Sequence, residues 1–201
     1  MQSKSYRYNR RIYTTPKQFV AAINDILKHT DDLKAAARSK RIDHSFAEKI
    51  MLAVTQVNGC RYCDYGHTKS ALQAGVPPEE IKKISTGELG DFPEDEAIAL
   101  YFGQHYAETG GKPEPDAFKR LIDYYGEQKA NDIMAYIRMI TFGNLMGNTF
   151  DAFLSRLRGN PASGSSTLSE LAILGLSVVG FIPFGLAMAF RMLYANCLGK
   201  R

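Results

Sequence analysis

At 201 residues and a net charge of +4, the chain is long enough to bury a sizeable core without disulfide staples, and too weakly charged to point to nucleic acid as a partner. Three cysteines leave one unpaired in any intramolecular scheme, which excludes a secreted disulfide framework. The charge is uneven, with ten Lys or Arg against three acids in residues 1 to 41 and seven acids against two lysines from Glu79 to Glu96, a pattern that reads as two solvated surfaces.

The opening MQSKSYRYNRRIYTT is basic and polar with no apolar run behind it, so the first 167 residues are expected to be cytoplasmic. Thr15-Pro16 followed by Phe19, Val20, Ile23 and Ile26 or Leu27 predicts an amphipathic helix with Pro at its start. Asp31 to Lys40 reads as a short polar helix. Ser45 or a neighbour caps the next one, whose apolar stripe is Phe46, Ile50, Val54 and Val57. Asn58-Gly59 breaks the pattern. A helix carrying both early cysteines follows and stops at Gly75, and Pro77-Pro78 opens another with Glu79 and Glu80 in its first turn. Thr86 to Pro93 reads as a loop. Helices are predicted from about Pro93 to Ala107, from Asp116 to Tyr125, and from Glu127 to about Arg158, the last with candidate breaks at Gly143 and Gly147. No run alternates as a strand would, so the fold class is all-α.

The densest chemistry lies in EKIMLAVTQVNGCRYCDYGH, Glu48 to His67. On a helix starting near Gly59, Cys60, Cys63 and His67 fall on one narrow arc, and Ser70, Ala71 and Ala74 continue it. Cysteines at i and i+3 are close enough to pair with little backbone movement, although spacing alone does not prove a disulfide. A thiol must ionise before it attacks a peroxide or a disulfide, and an ordinary cysteine, with a pKa of about 8.5, is mostly protonated at neutral pH. His67, one turn after Cys63, is placed to take that proton, and Glu48 on the preceding helix to orient the imidazole or to receive the proton through a water. Cys63 is therefore read as the attacking thiol, and Cys60 as the thiol that resolves the oxidised sulfur into a disulfide.

Glu48, then twelve positions to Cys60 in CRYC, then His67 four beyond Cys63, followed by GVPPEEI and GDFPEDEAIAL, resembles the alkylhydroperoxidase D and carboxymuconolactone decarboxylase superfamily over residues 15 to 158. Asn144 and Asn148 in FGNLMGNTF also look like that family's last long helix. The resemblance implies an all-helical bundle that forms homo-oligomers, trimers or hexamers. It also implies a peroxiredoxin-type alkyl hydroperoxide reductase with a peroxide substrate, no bound cofactor, and an external lipoyl-type dithiol as reductant. Some relatives carry a histidine between the two cysteines, where this chain has Arg61 and Tyr62. Tyr62 can hydrogen-bond but cannot act as a base at neutral pH.

Two alternatives stand beside the redox reading: a metal site made by Cys60, Cys63, His67 and Glu48, and a decarboxylase-like enzyme of the same superfamily. His44 and His105 have no partner at ligand spacing and read as surface or capping residues, and Asp64 as an exposed acid. The domain plan is a helical redox domain over 1-158, a Gly/Ser/Pro linker over 159-170, and an apolar segment over 171-201. Leu171 to Phe190 is twenty residues without a charge. It is long enough to cross a hydrocarbon core, but GFIPFG breaks it midway, so it reads as membrane-associating or as an oligomer interface.

Overall fold

The structure, a computed structural model, describes residue 8 and residues 10–180. Eight helices follow in order: α1 Pro16–Lys28, α2 Thr30–Ser39, α3 His44–Asn58, α4 Arg61–Gln73, α5 Pro78–Thr86, α6 Glu94–Glu108, α7 Pro115–Tyr125 and α8 Glu127–Leu157. A further helix covers 167–180, and no strand occurs among the described residues.

Local chemistry sets the boundaries. Thr15 caps α1 by accepting from the Gln18 N–H, and Pro16 fills its first turn, where no N–H partner is needed. Asp43, rather than Ser45, caps α3: its carboxylate accepts from the Phe46 N–H at 2.8 Å and from the Ser45 hydroxyl at 2.7 Å. The 31 residues of α8 run without interruption, so neither Gly143 nor Gly147 breaks it.

The bundle is organised around α3, which lies between α6 and α8 and also touches α4 and α5. Nearly every turn of α3 is buried on more than one side, and Ile50, Ala53 and Val54 are fully enclosed. They meet Ala99, Leu100, Ile133 and Ile137 in the main core. A smaller core collects Tyr13, Phe19 and Ile173 against Phe142, Leu145 and Met146. This second core ties α1 and the 167–180 helix to the flank of α8. The Phe19 and Phe142 rings stack with centroids 6.0 Å apart.

Charged side chains drawn inside are paired. Arg41 grips Asp132 with two nitrogens, at 2.6 and 2.9 Å, and Ser39 adds a third donor at 2.9 Å. Lys49, almost fully buried, bonds Glu96 on α6 at 2.7 Å and Glu80 on α5 at 2.6 Å. Glu170, with no exposed surface, receives two bonds from Arg156 at 2.8 and 3.0 Å. The helix thus starts at 167, inside the stretch read as linker, and its first turn is clamped to the end of α8.

Of the apolar segment 171-201, residues 171–180 are helical. They bury Ile173 and expose Leu171, Leu176, Val178 and Val179. Residues 181–201, with most of Leu171 to Phe190, lie outside the described residues. Among the described residues no helix is long and apolar enough to cross a membrane.

Removing one partner of a buried ion pair leaves the other charge without compensation. Glu170→Ala is expected to lower stability by about 3 kcal/mol, read from urea denaturation. Faster amide exchange in 167–180 should accompany the loss.

Candidate active site

The turn between α3 and α4 fixes the geometry. Gly59 sits at φ 72°, a left-handed conformation that ends α3, and its N–H bonds the Thr55 carbonyl at 2.7 Å. The chain then reverses, and Cys60 becomes the N-cap of α4, its sulfur accepting from the Cys63 N–H at 3.3 Å. Cys60 and Cys63 are paired as a disulfide with Cα atoms 5.3 Å apart. Cys60 is fully buried, whereas Cys63 is partly open to solvent. Sulfur at the start of a helix faces unpaired amides and the positive end of the helix dipole, which favour a thiolate once the pair is reduced.

Glu48, in the second turn of α3, is only 4% exposed. Its Oε2 accepts from His67 Nδ1 at 2.7 Å. Its Oε1 accepts from the Ser70 hydroxyl at 2.8 Å and lies 3.1 Å from His44 Nε2. Burial alone would push this carboxyl up. The bonds from His67, Ser70 and His44 outweigh it and hold the group below its ordinary range. Because Nδ1 of His67 donates to Glu48, its Nε2 is left as the acceptor when the ring is neutral. His67 stands one turn beyond Cys63 on the same helix.

Helix α8 closes the inner side. A Cβ on Gly147 would stand 2.8 Å from Cys60 Sγ and 3.8 Å from Cys63 Sγ, so this position accommodates only hydrogen against the sulfurs. One turn earlier, Asn144 accepts from Thr55 Oγ1 at 3.1 Å, and Asn148, the residue after Gly147, donates to the Asn58 carbonyl at 2.7 Å and the Arg11 carbonyl at 2.9 Å. These bonds hold the end of α3, and with it the Gly59 turn, against α8. The residues between the cysteines point elsewhere. Arg61 bonds Asp151 of α8, as does Arg10 at 2.8 Å, and the Tyr62 hydroxyl lies 3.4 Å from the same carboxylate.

The structure therefore brings Cys60, Cys63, His67 and Glu48 together, with Cys63 and His67 on α4 and Glu48 facing His67 from α3. It also adds three residues that the sequence reading did not place in the site. His44 is not an unpartnered surface histidine but a contact of Glu48, and its own i, i+4 spacing to Glu48 was the available signal. Ser70, on the predicted arc, donates to Glu48, and Gly147 is a position of close approach to the sulfurs rather than a break in α8. His105 likewise has a partner, the Glu114 carboxylate, while Asp64 is exposed as expected. The metal alternative meets a carboxylate already committed to these donors. Among the described residues no group of three or more His, Cys, Asp or Glu is placed to hold a metal ion.

Fold and site define an all-helical protein whose paired cysteines lie beside a histidine–carboxylate couple. Residues 24–88, about a third of the chain, match the model of the carboxymuconolactone decarboxylase family. All four predicted site residues lie within that segment. The chain is also similar to the uncharacterized protein YdfG of Bacillus subtilis (strain 168), 29% identical over 124 residues, covering 58% of this chain and 84% of that protein. No solved structure matches the chain.

Two tests follow from this geometry. Gly147→Ala should cost about 1–3 kcal/mol in urea denaturation by forcing a methyl group against Cys60, and should make Cys60 reactive to alkylation after reduction. Glu48 carries a lowered folded-state pKa, so its contribution to stability is complete above its ordinary value of 4.5 and fades as pH falls through the lower folded value. Thermal melts of Glu48→Gln against wild type should differ most near neutrality and converge at acid pH. A difference that grew with acidity would contradict the sign.

Proposed function

We propose that the protein is a thiol-dependent hydroperoxidase and thiol–disulfide oxidoreductase, with Cys63 as the attacking sulfur and Cys60 as the resolving one. The observation that carries this reading is the asymmetry of the pair. Cys63 is partly exposed and followed after one turn by His67, whose Nδ1 is bonded to a buried carboxylate, while Cys60 is sealed beneath α8.

In the reduced protein, the Cys63 thiol gives its proton to Nε2 of His67, and the Glu48 carboxylate stabilises the imidazolium. The thiolate attacks the terminal oxygen of a hydroperoxide, a sulfur–oxygen bond forms, the O–O bond breaks, and the departing alkoxide takes the proton from His67 to leave as an alcohol. Cys63 is then a sulfenic acid. The Cys60 thiol attacks it, the S–O bond breaks as the disulfide forms, and the hydroxyl leaves as water with the proton that Cys60 gives up. An external dithiol of the lipoyl class restores both thiols by exchange and itself becomes a disulfide. With Arg61 and Tyr62 between the cysteines, His67 is the base this reading relies on.

The partners belonging to this reading are the hydroperoxide, the dithiol and further copies of the chain in a trimer or hexamer. The exposed Leu171, Leu176, Val178 and Val179 support cover by such a copy or by a lipid surface.

Peroxide consumption with dihydrolipoamide as reductant tests the proposal. Wild type should turn over, Cys63→Ser should be inert, and Cys60→Ser should react once and stop at the sulfenic acid. His67→Ala should slow the reaction by about 100-fold or more. Full activity in Cys63→Ser would overturn the assignment.

A further inference from the structure

Resting on the thiol chemistry just proposed, we infer that His44 is a positioning residue of this site, acting on the reacting thiol through Glu48 and His67. Its Nε2 lies 3.1 Å from Glu48 Oε1 and 3.2 Å from the Ser70 hydroxyl oxygen. The Ser70 hydroxyl has one hydrogen, and the 2.8 Å contact commits it to Glu48 Oε1. Nε2 of His44 therefore has only lone pairs before it and must carry a hydrogen there, since an unprotonated nitrogen would set its own lone pair against a carboxylate.

The consequence for Glu48 is directional. Two donors, His44 from the same helix and Ser70 from α4, hold Oε1, so that Oε2 is turned to His67 Nδ1 at 2.7 Å. With Nδ1 hydrogen-bonded, the neutral ring presents Nε2 as the acceptor that a thiol needs. A carboxylate freed on the Oε1 side can rotate and weaken that bond, and the His67 tautomer is then no longer fixed. His44 also carries the network outward: Glu48 has 6% of its side chain exposed and His67 24%, while His44 has 65%. Small solutes can therefore reach the position of His44 but not that of Glu48.

The other groups near Glu48 do not duplicate this role. From α8, the Tyr136 phenol is pushed up by burial first, then by Asp132 and by Glu48, so it stays neutral near pH 7. Lys49, the next residue in α3, is held by Glu80 and Glu96 from α5 and α6. His44 itself does not cap α3, because Asp43 does.

The experiment is the pH dependence of Cys63 alkylation by iodoacetamide in reduced, full-length protein, run beside the peroxide assay. His44→Ala and His44→Leu should each raise the midpoint by about one pH unit, a tenfold loss of thiolate below it. Added imidazole should restore His44→Ala, and His44→Gln, which keeps an N–H, should stay near wild type. Unmoved midpoints in the Ala and Leu variants, or lower melting temperatures without a midpoint change, would overturn the inference. A wild-type protein whose midpoint responds to His44 but which consumes no peroxide would retire the peroxidase reading and leave the role of His44 standing.

Discussion

A carboxylate buried in a helical core must be met by donors, and Glu48 meets that demand from two helices at once. Ionised and 4% exposed, it is tolerated because His67 and Ser70 from α4 and His44 from α3 surround it. The same bonds hold α4 against α3 at a fixed rotation. Since Cys63 and His67 share one face of α4, fixing that rotation also fixes where the sulfur lies relative to the imidazole. The electrostatic requirement of one side chain and the placement of the reacting groups are thus one constraint.

The opposite wall obeys a steric rule. Helix α8 can reach the Cys60 sulfur only because residue 147 has no side chain, and Asn144, one turn before it, and Asn148, the next residue, hydrogen-bond the last turn of α3. Close approach seals Cys60 from solvent, and the turn at Gly59 leaves Cys63 nearer the surface. The two sulfurs differ in environment although they are three residues apart. Farther out, the second core and the Arg156–Glu170 clamp stiffen the flank of α8 without touching the site.

Much of this was legible in the sequence, because helical periodicity and the cysteine spacing act locally. The shared face of Cys63 and His67 follows from 100° per residue, although Cys60 stands outside that arc as the extended N-cap of α4, and the Glu48 spacing follows from a helix, a Gly-containing turn and a second helix. What escaped were contacts requiring two helices to approach. Ser70 lay on the right arc, but nothing local says that a carboxylate would face it. His44 stood four residues before Glu48, yet an exposed histidine at that spacing is ordinary until the glutamate is known to be buried. Gly147 looked like a helix break because its reason is a neighbour's sulfur rather than its own backbone. The helix at 167 was hidden by the Gly, Ser and Pro residues before it, since the buried Arg156–Glu170 pair that anchors it cannot be read from composition.

The most direct measurement is a titration of thiolate absorbance in the ultraviolet, comparing fully reduced wild type with Cys63→Ser. An ionised Cys63 beside a correctly oriented His67 predicts an absorbance step well below the ordinary thiol value of about 8.5, present in wild type and lost in the variant. A wild type that ionises only in the ordinary range, with the low step absent, would contradict the claim that this arrangement activates Cys63.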